Sequence, residues 1–113
     1  MNFKTIKTDQ YDNKVLVTII EKRIYLGITD IFREEMIRVT ESKMKELVIN
    51  LENVAVMNSA GLGVLIMVRD IINKEKGRIK LSNLQPLMLD IFSRMRLDTL
   101  FEIYKTTDEA LAG

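Results

Sequence analysis

Residues 46–68 read ELVINLENVAVMNSAGLGVLIMV, and the reading of this stretch decides the fold. Leu47–Leu51 is a short, almost wholly apolar run without alternation. Such a strand is buried on both faces, so it belongs at the centre of a sheet. From about Ala60 to about Lys76 the pattern is helical. It is apolar nearly all round through Leu62, Val64, Leu65, Ile66, Met67 and Val68, which predicts a deeply buried helix. Polarity returns with Arg69, Asp70, Asn73 and Lys74, and Gly77 is a natural stop. Between strand and helix stand Asn58 and Ser59. Both residue types are favoured helix N-caps, a cap contributes about 1 kcal/mol, and either residue suits the position. Gly61 and Gly63 would allow the helix to pack closely on the sheet.

Toward the N-terminus, Lys14–Ile20 (KVLVTII) is rich in β-branched residues and predicts a strand. Phe3–Thr8 alternates apolar and polar residues, and the polar cluster DQYDNK (residues 9–14) predicts a turn joining the two as a hairpin. EKRIYLG (residues 21–27) either extends the second strand or forms a loop ending at Gly27. Phe32, Met36 and Val39 recur at helical spacing. They predict a helix from about Asp30 to about Met44, with Thr29 as its cap and Asp30 in its first turn. Toward the C-terminus, Arg78–Asn83 predicts a strand with Ile79 and Leu81 on one face. Pro86 opens a third helix, since its missing donor has no partner in the first turn anyway. Arg94 and Arg96 fall at the end of that helix, where cations suit the dipole. Leu100–Tyr104 predicts a last strand, with Phe101 and Tyr104 structural. Thr106 and Glu109 have capping-box spacing for a short terminal helix.

The resulting order, β-β-α-β-α-β-α-β-α, calls for right-handed crossovers and a largely parallel sheet. The expected fold is a single α/β domain over residues 1–113. Its sheet is mixed but mostly parallel, with four to five strands and about four helices packed on it.

Composition narrows the function. Seventeen basic and 16 acidic residues leave a net charge of +1, so there is no electrostatic footprint for nucleic acid. The chain has no cysteine and no histidine, which excludes disulfides, thiol chemistry and both usual catalytic triads. GxxxxGK[ST], GxGxxG and GxSxG do not occur. The expectation is a protein that is not an enzyme, with no metal and no cofactor. The N-terminus lacks the apolar core of a signal peptide. The longest apolar run, Val64–Val68, is far short of a membrane span. A cytoplasmic protein without membrane insertion is expected. Met36, Met44 and Met67 fit the core; Met57, beside Ser59, is the methionine whose exposure would matter.

The first amides of a helix lack intrahelical partners, and its dipole favours negative charge there. A phosphate on a serine at that place is therefore accommodated. The loop after a central strand also opens on the face where ligands and partners bind. A phosphoryl group there could block a docking partner without changing the fold. Holding the phosphate of a nucleotide is the other chemistry such amides offer.

The run LVINLENVAVMNSAGLGVL resembles the signature of anti-sigma factor antagonists, which define the STAS domain: an apolar strand, a short loop, Asp-Ser-[Ser/Ala]-Gly-Leu and an apolar helix. The resemblance continues through the strand RIKLSN, the helix leading into LDTLF (residues 97–101) and the Glu109-Ala110 pair, and so spans nearly the whole chain. ITDIFREEMIRV is similar to the family's first-helix pattern, with Arg33 at its arginine. The resemblance implies a STAS-like fold and a phosphorylation-switched binding module. Ser59 falls on the serine phosphorylated by a partner protein kinase that also acts as an anti-sigma factor. The unphosphorylated antagonist sequesters that kinase and releases a sigma factor, and a serine phosphatase resets the cycle. Asn58, Ser59, Ala60, Gly61 and Leu62 fall on the partner-binding segment. Asn58 replaces the family's aspartate before the serine. Tyr25 stands at a second aspartate position, with Lys22 at the family's glycine. Domains similar to this one also serve, without phosphorylation, as interaction subunits of signalling or transport assemblies, and the two missing carboxylates point that way.

Overall fold

The computed structural model describes residues 2–113; Met1, part of the expected domain span, lies outside them. The strands are β1 (Ile6–Tyr11), β2 (Lys14–Ile19), β3 (Arg23–Ile24), β4 (Glu46–Asn50), β5 (Val56–Met57), β6 (Arg78–Ser82) and β7 (Glu102–Tyr104). The helices are α1 (Leu26–Thr40), α2 (Ser59–Lys74), α3 (Pro86–Arg94) and α4 (Thr107–Ala112), with a 3-10 turn at Leu97–Thr99. Five strands form one sheet in the order β1-β2-β4-β6-β7. Only β1–β2 is antiparallel; β2–β4, β4–β6 and β6–β7 are parallel. β4 is central and buried along its whole length, as its unbroken apolar pattern requires.

The two sheet faces differ sharply. On one face Val15, Val17, Ile19, Leu47, Ile49, Ile79 and Leu81 share a core with Phe32 and Met36 of α1, Leu65 and Val68 of α2, and Met88 and Phe92 of α3. On the other, Leu16 and Val48 pack under Ala110 of α4 with Tyr104 and Leu111 beside them. That smaller face carries a charge cluster. Glu46 Oε1 lies 2.5 Å from Lys80 Nζ, and its Oε2 lies 3.1 Å from Lys14 Nζ. Lys80 also donates to the Ala110 carbonyl at 2.8 Å, and Lys14 to that of Leu111 at 2.5 Å. Both lysines thus hold carbonyls at the end of α4, where cations suit the dipole. Burial pushes the Glu46 carboxyl up, but Lys80 and Lys14 together outweigh it and hold it below its ordinary value.

Several boundaries differ from expectation for local reasons. β1 covers Ile6–Tyr11 rather than Phe3–Thr8, because the hairpin turn is only Asp12-Asn13 and pairing continues to Tyr11 opposite Lys14. Asp12 takes the left-handed conformation (φ 54°) that so tight a turn demands. Residues 21–27 neither extend β2 nor form a plain loop. Arg23 and Ile24 pair in parallel with Val56 and Met57 as a separate two-stranded sheet, and Leu26-Gly27 already open α1. α1 therefore begins a turn before Asp30. Its N-cap is Tyr25, not Thr29, and it ends at Thr40 rather than Met44. α2 ends at Lys74, short of Lys76. Its stop is made by Lys76 at φ 60°, with the Gly77 amide reaching back to the Ile72 carbonyl at 2.9 Å. Gly77 sits in a tight place, since a Cβ would lie 3.0 Å from Ile72 Cγ2 and 3.2 Å from the Lys45 carbonyl oxygen. α3 starts at Pro86 but closes at Arg94, so Arg96 lies beyond it at φ 58°. The last strand is only Glu102–Tyr104, because the 3-10 turn and Leu100-Phe101 precede it. In α4, Thr106 Oγ1 accepts from the Glu109 amide at 3.1 Å, the forward half of a capping box.

Candidate functional site at the start of α2

β5 delivers the chain to the site. The Asn58 amide donates to the Ile24 carbonyl at 2.9 Å, which continues the β3–β5 pairing by one step. Asn58 is extended (φ −74°, ψ 171°), and its Oδ1 accepts from the Gly61 amide at 2.8 Å. The sequence left two candidates for the cap; Asn58 takes the role and Ser59 becomes the first helical residue. The rest of the Asn58 amide group is also engaged. Its Nδ2 donates to Thr29 Oγ1 at 3.2 Å, while that hydroxyl donates to the Tyr25 carbonyl at 2.9 Å. Thr29 is buried, so this chain of bonds ties the start of α2 to the start of α1 away from water. Thr29, expected to cap a helix, is thus the strut between two helix starts.

Gly61 is required by space. A Cβ there would lie 2.5 Å from Met57 Cγ and 2.9 Å from Ile24 Cγ2. Gly63 is different: no atom lies within 4 Å of the place its Cβ would occupy, so it serves no close packing. Of the five residues assigned to partner binding, Asn58 is half-buried, Ser59 and Ala60 are exposed, and Gly61 and Leu62 are buried. Gly61 and Leu62 therefore shape the site from beneath. Met57 is buried beside them rather than exposed. Because Asn58 performs the capping, the Ser59 hydroxyl makes no hydrogen bond among the described residues and points to no internal duty. The amides of Ser59 and Ala60, at the first two helical positions, have no intrahelical carbonyl to bond.

Around Ser59 the surface is unexpectedly apolar. Leu26 is 88% exposed and Tyr25 is 56% exposed, both at the start of α1, and Val56 in β5 is also exposed. Lys22 and Arg23 are exposed on the segment that pairs with β5. Neither α1 nor α2 has an acidic residue in its first turn. The arrangement is an exposed hydroxyl on an electropositive helix start, set among apolar side chains. It suits the docking of a protein surface and the acceptance of an anion. Periodicity did not reveal the exposed cluster of Tyr25, Leu26 and Val56, because Tyr25 and Leu26 stand at the very start of α1 and Val56 lies in a two-residue strand. The available signal was YLG at residues 25–27: two large apolar residues opening a helix with no capping side chain.

Among the described residues no helix is long and apolar enough to cross a membrane, and no three acidic residues converge as a metal site. A family model of the STAS domain matches residues 5–110. A STAS-domain containing protein of Pseudomonas aeruginosa (PA14_20770) is 29% identical over 92 residues, covering 81% of this chain and 90% of that protein. The crystal structure of an anti-sigma factor antagonist from Mycobacterium paratuberculosis superposes with a TM-score of 0.85 at 24% identity, covering 96% of this chain and 91% of that one. The Bacillus cell fate determinant SpoIIAA, in its phosphorylated form, superposes with a TM-score of 0.72 at 17% identity, covering 95% and 96%.

Proposed function

Since this chain belongs to the STAS-domain family, we propose that it is an anti-sigma factor antagonist whose docking surface is switched by phosphorylation of Ser59. The observation that carries the reading is the division of labour at the α2 start. Asn58 caps the helix, which leaves the Ser59 hydroxyl exposed and unbonded. The unphosphorylated chain offers Ser59 and Ala60 within the rim of Tyr25, Leu26 and Val56 to an anti-sigma serine kinase. Sequestering that kinase frees a sigma factor. The protein acts in the cytoplasm by binding rather than catalysis, and needs no cofactor.

Phosphorylation adds about −1.5 to −2 charges and strong acceptor oxygens. The free amides at the first helical positions and the helix dipole stabilise that charge. The fold is therefore unchanged, while a partner packed on the apolar rim must desolvate a dianion. Asn58 keeps the capping oxygen of the family's aspartate but carries no charge, so nothing at residue 58 repels the phosphate. A serine phosphatase resets the switch.

The direct test is incubation of the chain with its cognate kinase and Mg·ATP, followed by intact mass and peptide mapping. Addition of one phosphoryl group to the wild type and none to Ser59→Ala is expected. A stable complex with no phosphoryl transfer would replace this reading with that of an unswitched interaction subunit.

A further inference from the structure

The parallel pairing of β3 with β5 sets Arg23 beside the site. Arg23 stands opposite Val56, and Ile24 opposite Met57. Successive side chains of a strand point to opposite faces. Ile24 and Met57 are buried, so Arg23 and Val56 share the solvent side, and both are exposed. The pairing does not fray before the site, since the Asn58 amide donates to the Ile24 carbonyl at 2.9 Å. Ser59 follows Val56 by three residues. Paired strands lie about 4.8 Å apart and rise about 3.3 Å per residue, which puts the Arg23 and Ser59 Cα atoms roughly 11 Å apart. The side chains of an arginine and a phosphoserine together span that gap. The Arg23 guanidinium is also uncommitted: it forms no hydrogen bond or ion pair among the described residues. Asp30 and Glu52 already have partners, Arg33 at 2.8 Å and Asn50 at 2.9 Å.

A bare serine hydroxyl gives that guanidinium no charge to pair with. A phosphoserine presents nearly two negative charges and strong acceptor oxygens. The planar fork of arginine matches a phosphate group with two parallel hydrogen bonds. No acid stands in the first turn of α1 or α2, and the cap, Asn58, is neutral. Resting on the reading of Ser59 as the phosphorylated residue, we infer that Arg23 is the counter-ion of the Ser59 phosphate. Its side chain folds across Val56 and holds the phosphoryl group against the start of α2. Phosphorylation then changes the docking surface in two ways. It adds a dianion, and it withdraws the exposed Arg23 cation that the unphosphorylated chain presents. An exposed pair adds little to folding stability, so the melting temperature does not report it.

Phosphorus NMR of the full chain, with phosphoserine built in at residue 59 during translation, tests this without a kinase. An ordinary phosphoserine takes up its proton near about pH 6. With Arg23 present the midpoint should lie about half a pH unit below that of the Arg23→Gln chain. Lys22→Gln removes an equal charge one residue away, from a side chain directed to the other face of the strand. It should move the midpoint by less than half as much. The Arg23 side-chain Nε–H resonance should also shift between the unphosphorylated and phosphorylated chains. Equal midpoints with and without Arg23 would overturn the inference. So would a change on Lys22→Gln as large as that on Arg23→Gln, or an Arg23 resonance indifferent to the phosphate. A cognate kinase that leaves the wild type unmodified would instead sink the reading of Ser59, because the titration does not depend on the enzyme.

Discussion

Replacing Glu46 by Gln preserves the side-chain shape and removes one charge from the cluster beneath α4. Glu46 is 6% exposed on its side chain, Lys80 is 0% exposed and Lys14 is 26% exposed. Removing one partner of a buried ion pair costs about 3–5 kcal/mol, because the other charge stays desolvated. Lys14 can turn its ammonium group to water, so the penalty falls mainly on Lys80. The Ala110 carbonyl and the Tyr104 ring, 5.1 Å from Nζ, still face Lys80. The lower end of the range therefore applies, about 3 kcal/mol. For a domain of this size that corresponds to a fall in Tm of roughly 12 °C. Urea denaturation and a thermal melt read it directly. Glu46→Leu combined with Lys80→Met removes both buried charges together and should stay within about 1 kcal/mol of the wild type. The pH dependence follows with a definite sign. The folded carboxyl lies below its unfolded value, so its contribution is fully present above about pH 4.3 and is lost as pH falls through the folded value. Glu46→Gln should flatten the acid limb of the stability curve. A loss below about 1 kcal/mol for Glu46→Gln, with the acid limb unchanged, would refute a desolvated cluster.

Substitutions at Asn58, Gly61 and Gly63 examine the site's framework. Asn58→Ala removes the acceptor for the Gly61 amide and the donor to Thr29, and should cost about 1–2 kcal/mol by denaturant titration. Asn58→Asp keeps the cap and should recover most of that loss. Gly61→Ala drives a methyl group into Met57 and Ile24 and should cost about 1–3 kcal/mol, whereas Gly63→Ala meets open space and should stabilise α2 by about 0.5–1 kcal/mol. Melting temperatures that move in the same direction for the two glycines would contradict the packing described.

What the sequence disclosed depended on the length of each signal. Leu47–Leu51 is almost wholly apolar and the helix that opens at Ser59 is apolar nearly all round for several turns, so the central strand and the buried helix were legible. Tertiary pairing hid the rest. Arg23-Ile24 and Val56-Met57 are two residues each and are strands only because they pair with each other. Tyr25 opens α1 without a capping side chain, so Thr29 was the better-looking cap until its hydroxyl proved buried against Tyr25 and Asn58. Gln10 and Tyr11 read as turn, yet an exposed edge strand tolerates polar residues beyond its one buried Ile6. Lys80 gave no sign of burial in RIKLSN, because its partners Glu46, Ala110 and Tyr104 come from three distant segments. At the site, Ser59 and Asn58 were both visible, but only the bond to the Gly61 amide divided their roles.

The central claim is that a phosphate on Ser59 switches docking without altering the fold. Calorimetric titration of the cognate kinase with unphosphorylated, Ser59-phosphorylated and Ser59→Ala chain tests it most directly. The account predicts equal affinity for the wild type and Ser59→Ala, and binding at least about tenfold weaker for the phosphorylated chain, at an unchanged melting temperature. Equal affinity for the phosphorylated and unphosphorylated chains would contradict it.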